Sequence, residues 1–263
     1  MRARYFWPTI LILAGVIFLL SNLGLLPGSA WGWVWALVLI LVGVGMLWPA
    51  RGGPGSKQVA VPLAGAAVAQ VTLKHGAGRL TVASGAASDL LLSGVCGGGV
   101  DQNVRPLGDH LDVTLRMPPQ DWGPWIWPGG WGRVSLDWDL VLNPGVPLSL
   151  VVETGASDTR LDLSQLRVTD LSIKTGASST SLTLPAQAGQ TRVRIESGAA
   201  SVKVRVPEGV AARIRGRIGV GTLNVDAGRF APRGNEYQSA DFDSAANRVE
   251  IEVGGGVGSV DVR

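Results

Sequence analysis

Glu153-Thr-Gly-Ala-Ser157, Lys174-Thr-Gly-Ala-Ser178, Glu196-Ser-Gly-Ala-Ala200 and Arg217-Ile-Gly-Val-Gly221 are four versions of one pentapeptide. Their glycines, Gly155, Gly176, Gly198 and Gly219, are spaced by 21, 22 and 21 residues. A constant period in this range marks stacked repeats. Five and three residues before the glycine stand Leu150/Val152, Leu171/Ile173, Val193/Ile195 and Ile214/Gly216. Six and eight residues after it stand Leu161/Leu163, Leu182/Leu184, Val204/Val206 and Val225/Ala227. The residues between these are mostly polar or charged: Arg160, Asp162, Ser181, Thr183, Lys203, Arg205, Asn224 and Asp226. Alternation with period two means one dry face and one wet face, so each copy reads as strand, glycine turn, strand. The glycine supplies either a positive φ or room for a neighbouring coil.

The pattern extends outward. Val71/Leu73 precede Gly76, with Leu80/Val82 after it, and Val249/Ile251 precede Gly254, with Val260/Val262 after it. Six copies then predict an all-β domain built as a single-stranded β-solenoid of 21–22-residue coils, with a β-sandwich as the rival architecture. The recurrence of identical columns favours the solenoid. Ala83–Asn143 departs from the repeat and reads as a long hairpin, one strand carrying Leu111, Val113 and Leu115, the other Val134, Leu136, Trp138 and Leu140. Its tip, about residues 117–132, is rich in tryptophan. Gly228–Asn247 is a second, polar insertion with one extra strand.

Upstream the chemistry changes. Residues 5–50 hold no charged side chain and contain two apolar runs, 5–26 and 31–48. As helices these would span about 33 and 27 Å, close to a bilayer core. Trp7, Trp31, Trp33, Trp35 and Trp48 stand near their ends, as an interfacial aromatic belt requires. The reading is a transmembrane hairpin over residues 1–50, a flexible linker over 51–58 and a β-repeat domain over 59–263. Arg2 and Arg4 precede the hairpin, Arg51 and Lys57 follow it, and the connecting loop has no positive charge. The positive-inside rule therefore puts both termini and the β-domain in the cytoplasm of a multi-pass membrane protein. The competing reading is a signal peptide cut after Ala30, which would put the remaining domain outside or leave it on a single helix.

Hydrophobic residues at 46% and charged residues at 16% exclude a disordered chain. The net charge is +3, and without Arg2 and Arg4 the remainder carries only +1, which argues against a nucleic-acid partner. One cysteine and two histidines leave no metal set and no disulfide. His75 and His110 have no ligand at metal spacing, and Cys96 lacks a nucleophile signature. Gly97-Gly-Gly99 has no following Lys-Ser/Thr and is no phosphate loop. No cofactor and no enzymatic activity are expected.

Two features are candidates for contact. Trp122, Trp125, Trp127 and Trp131 form either a membrane or partner finger or a cap on an open solenoid end. Arg192, Arg194, Lys203, Arg205, Arg213, Arg215 and Arg217 form an outward basic column, suited to anionic lipid or an acidic partner, or else an ordinary solvated face.

Trp7-Pro-Thr-Ile-Leu-Ile-Leu-Ala-Gly-Val-Ile-Phe-Leu-Leu-Ser-Asn-Leu-Gly24 resembles the opening membrane segment of LiaI- and LiaF-like proteins. Tyr237-Gln-Ser-Ala-Asp-Phe-Asp-Ser-Ala-Ala-Asn-Arg-Val-Glu-Ile-Glu-Val253, with Gly256-Val-Gly-Ser-Val-Asp-Val262, resembles the end of the LiaF C-terminal domain. The Gly-Ala-Ser coils are similar to that domain and to the related toast-rack and adhesin-type β-repeat families. The resemblance implies a membrane-anchored accessory regulator of the cell-envelope stress response, the response to cell-wall-active antibiotics, holding a sensor histidine kinase or another membrane protein. LiaF itself is usually assigned four membrane helices, whereas two are read here. The alternatives are a scaffold that self-assembles through its solenoid ends, which would make a homo-oligomer, and an extracytoplasmic adhesin-like domain.

Overall fold

Alternation in the repeats leaves one face of each copy dry, and every copy becomes strand. The computed structural model describes residues 55–118 and 135–263. The two expected membrane helices, residues 51–54 of the linker and the four tryptophans Trp122, Trp125, Trp127 and Trp131 lie outside the described residues. The described chain contains β1 (Lys57–Pro62), β2 (Val68–Ser84), β3 (Leu90–Cys96), β4 (Asp101–Leu107), β5 (His110–Arg116), β6 (Trp138–Leu142) and β7 (Leu148–Asp162). It continues through β8 (Val168–Thr183), β9 (Gln190–Arg205), β10 (Ala211–Val225), β11 (Ala231–Arg233), β12 (Glu236–Gln238) and β13 (Arg248–Val262). These make one mixed sheet of 13 strands.

The repeats supply β2, β7, β8, β9, β13 and β10, which pair in parallel in that order. Each bends at mid-strand, because the buried parity changes at the glycine. In β8, Leu171, Ile173 and Thr175 are buried before Gly176, and Thr180 and Leu182 after it. Both arms of the bent strand therefore face one interior. Columns run unbroken through it, such as Leu73–Val152–Ile173–Ile195–Val253 on one arm and Val82–Leu161–Leu182–Val204–Val262 on the other. Hydroxyls line the inside of the bend and satisfy one another: Thr154 Oγ1 donates to Thr175 Oγ1 at 3.0 Å, and Ser178 bridges Thr175 and Thr180.

The bend glycines form a column whose physical basis is close approach. A Cβ on Gly176 would lie 2.9 Å from the Gly155 carbonyl oxygen, one on Gly198 3.1 Å from that of Gly176, and one on Gly256 3.0 Å from that of Gly198. Gly219 meets the Gly256 oxygen in the same way, at 3.0 Å. None of Gly76, Gly155, Gly176, Gly198, Gly256 and Gly219 has a positive φ, so room and not handedness selects them.

Four expectations are corrected. In the last copy the stacked glycine is Gly256, not Gly254: Gly255 pairs with Ser197 and Val257 with Ala199, which leaves Gly256 opposite Gly198. Gly254 falls opposite Glu196. Second, the stack does not follow chain order, because β13 inserts between β9 and β10. Third, β5 and β6 are not partners in a hairpin. β5 pairs in parallel with the first arm of β2, and β6 with the second. Together they line the two arms of β2 as a seventh copy would. β4 covers β5, and β3 and β1 extend from β6, all antiparallel. The second insertion holds two short strands rather than one, the β11–β12 hairpin.

Leu182 lies between Leu161 and Val204 and is 1% exposed, while its neighbour Ser181 faces out between Arg160 and Lys203. Leu182→Asp would bury an unpaired charge and should cost several kcal/mol, enough to unfold the domain. Ser181→Asp should shift stability by no more than about 0.5 kcal/mol. Urea unfolding of the two variants followed by circular dichroism checks this; equal losses would refute the assignment of faces.

Candidate interaction surface

Outward positions of neighbouring strands stand about 4.8 Å apart, so their charges meet across the sheet. On the first arm they form three columns. One runs Lys74, Glu153, Lys174, Glu196, with Lys74 Nζ 2.8 Å from Glu153 and Lys174 Nζ 3.4 Å from Glu196. The second runs Asp170, Arg192, Glu250, Arg213, and the third Ser172, Arg194, Glu252, Arg215. Signs alternate in each. Arg194 reaches Glu252 at 3.2 Å, Arg213 reaches Glu250 at 3.3 Å, and Arg215 reaches Glu236 of β12 at 2.6 Å. That contact with Glu236 raises the Arg215 pKa above its ordinary value, chiefly by hydrogen bonding.

The expected basic column is therefore not basic. Its arginines alternate with Glu250 and Glu252, which β13 carries into the gap between β9 and β10. Nor is it one column. Arg192, Arg194, Arg213, Arg215 and Arg217 lie on the first arm, whereas Lys203 and Arg205 lie on the second, where Lys203 stands between Ser181 and Asp261 and Arg205 beside Thr183. The two glutamates are the residues that reading the chain in order misses. Their signal was present, because they occupy outward positions in the last copy and like charges stacked directly opposite repel.

Arg213 is the most enclosed of these arginines. Its guanidinium touches Glu250, Asp243 at 3.4 Å and Glu236 at 3.9 Å, and lies 4.2 Å from the Phe242 ring centroid. It ties both β12 and the turn after it to β10. Beside it opens a groove of about 580 Å³ lined by Arg194, Glu196, Arg215, Arg217, Asn235 and Glu252. Gly254 forms part of its lining, since the column that carries Glu196 on β9 and Arg217 on β10 has no side chain on β13. Among the described residues Arg217 has no carboxylate within ion-pair reach. A shallow site with charges of both signs suits a protein surface of complementary pattern better than a polyanion.

At the other end of the stack His75 is 2% exposed and stands where the next strands carry Thr154 and Thr175. Its Nε2 is 2.9 Å from the Leu136 carbonyl oxygen and must donate to it; Nδ1 has no partner, and the ring sits edge-on to Trp138 at 5.4 Å. Trp138 is fully buried and donates to the Gly97 carbonyl at 3.1 Å. Burial lowers the His75 pKa below its ordinary 6.5, against the opposing effects of the Leu136 bond and Asp137. His110, by contrast, is exposed at the start of β5. Cys96 is buried, and desolvation pushes its thiol up to about 12, so it stays a protonated core residue.

Two predictions follow from these contacts. Glu252→Arg would set three guanidiniums side by side and should destabilise by roughly 1 kcal/mol, less at high salt. Adding Arg194→Glu should recover about half of the loss; unfolding midpoints at two salt concentrations test both. For His75 the unfolded chain takes up the proton first. Stability should be full above pH 6.5 and fall below it, by at most about 1.4 kcal/mol per pH unit. His75→Gln should flatten the slope of melting temperature between pH 6.5 and 5.5; an unchanged slope would refute the assignment.

The fold and this surface can be set beside known proteins. Residues 51–205 match the family described as the N-terminal domain of toast_rack, DUF2154, and residues 2–75 match the LiaF transmembrane domain. No curated protein matches the chain. A solved structure of a candidate cell adhesion protein from Clostridium sporogenes is 20% identical, with a TM-score of 0.71 over 80% of this chain and 98% of that one. At that identity the likeness is one of fold alone. A candidate adhesin from Bacteroides fragilis, 8% identical with a TM-score of 0.27 over 79% of this chain and 96% of that one, supports no argument.

Proposed function

Because the chain belongs to the family of toast_rack N-terminal domains, and is a LiaF-like membrane protein through residues 2–75, we propose that it is a non-enzymatic, membrane-anchored regulator of the bacterial cell-envelope stress response. In this reading the bilayer holds the hairpin, and the β-domain holds a protein partner such as a sensor histidine kinase. The bent parallel strands serve as coils of a β-solenoid, a rigid platform that fixes the spacing of the outward charges. The observation that carries the reading is the groove around Arg194, Arg217 and Glu252, where charges of alternating sign are held at fixed spacing. Such patterning steers and selects a partner more than it adds affinity. The basic flanks Arg2, Arg4, Arg51 and Lys57 support a cytoplasmic β-domain.

An extracytoplasmic adhesin-like role is the second reading. It draws on the fold likeness to the Clostridium sporogenes cell adhesion protein and requires the opposite topology.

Thiol labelling and a stress reporter test the two readings. Ser56→Cys places an exposed thiol at the start of the β-domain, while Cys96 is buried. A membrane-impermeant maleimide should label it only after the cells are permeabilised. Deletion of the chain should raise an envelope-stress reporter several-fold without antibiotic, and Arg217→Glu should fail to restore the repression. Labelling in intact cells would move the domain outside and favour adhesion. An unchanged reporter would remove the regulatory role.

A further inference from the structure

The two ends of the parallel stack are finished differently. At the β2 end, β5 and β6 cover both arms, and Met117 and Leu136 cover the bend at Gly76 and Gly78. At the β10 end, β12 pairs only with Arg213–Arg215. Among the described residues nothing pairs with the outer edge of Gly216–Val225, although its inner edge pairs with β13 on both arms.

This edge lacks the devices that keep a free strand single. β1 ends in Pro62 and carries Lys57, β4 carries Asp101, Arg105 and Pro106, and β11 is three residues long with Pro232 and Arg233. Charges, prolines and short length are how proteins blunt open edges. Gly216–Val225 has no proline and one charge, Arg217. Val220 is 69% exposed and its neighbour Val257 55%. Ile218, Leu223 and Val225 pack on the core but stay partly open.

We propose that this edge is occupied by the same edge of a second copy of the chain, paired antiparallel about a two-fold axis. Symmetry of the open segment argues for that occupant. Because β12 stops at Arg215, the midpoint of the open residues falls between Val220 and Gly221, at the bend. A bent strand turned over about its own bisector superposes on itself with its direction reversed, so the two bends coincide. In that register Gly216 faces Val225 of the second copy, Ile218 faces Leu223, and Arg217 faces Asn224. Inward residues meet inward residues, and no charge meets its like. A shift by one residue would set inward against outward positions. Because β5 and β6 close the far end, the contact is isologous and stops at a dimer; it does not propagate into a filament.

Disulfide trapping in the full-length protein, in its membranes, tests the register. Arg217 and Asn224 face outward on opposite arms, so Arg217→Cys alone and Asn224→Cys alone should give no disulfide with mild oxidant. The double variant Arg217→Cys/Asn224→Cys should give a covalent dimer, and buried Cys96 takes no part. Val220→Lys, at an exposed position, should halve the mass of the purified chain in detergent while the melting temperature stays within a few degrees. A covalent dimer from either single variant, or none from the double variant with its chain folded, would overturn the pairing. So would a wild-type chain that is monomeric in both membranes and detergent, which would assign the edge to a strand of another protein.

Discussion

Adjacent copies of the repeat approach so closely at their bends that the carbonyl oxygen of one would crowd a Cβ on the next. The rest of the structure depends on this contact. It favours glycine, which aligns Gly155, Gly176, Gly198 and Gly256 in one line and fits the register of the strands on either side of the bend. With a side-chain period of two, a slip of one residue would turn Leu171 and Ile173 out and Ser172 and Lys174 in. The glycine column therefore locates the bend and, with the apolar alternation, enforces the division between dry and wet faces.

Charge decides what packing leaves open. The apolar columns of β9, β10 and β13 are similar enough that β10 could follow β9 directly. That order would stack Arg192 on Arg213 and Arg194 on Arg215. Inserting β13 places Glu250 and Glu252 between them. Each exposed pair contributes about 0–1 kcal/mol, too little to hold the domain together. The difference between alternating and repeating signs over two columns is enough to bias one strand order against another. The same ladders border the groove proposed to meet a partner, so selection of the fold and selection of a partner draw on one set of residues.

The ends of the stack divide its tasks. At the β2 end β5 and β6 act as a seventh copy and cover both arms. His75 stands there in the position that hydroxyl residues fill further along, its ring against Trp138. At the β10 end ten residues of edge have no strand partner among the described residues. A LiaF-like membrane protein confines its copies to a surface, where even a modest edge contact is favoured by proximity.

Local pattern in the sequence was enough for the all-β class, the period and the inward columns. Each is a property of one copy or of any two copies alike. The glycine reads as a turn between two strands, where the structure has one continuous bent strand. The order of strands was not legible, because Gly254 and Gly256 both lie near the right offset and the choice depends on which strand is the neighbour. The pairing of β5 and β6 with β2 was hidden by the long insertion between them, which reads as the tip of a hairpin. The alternating charge surface went unseen for the same reason: Glu250 lies 37 residues from Arg213, Glu252 as far from Arg215, and only the inserted β13 brings them together. Alternation and spacing are fixed by neighbours along the chain. Which copy lies beside which is decided by side chains that meet only after the chain has folded.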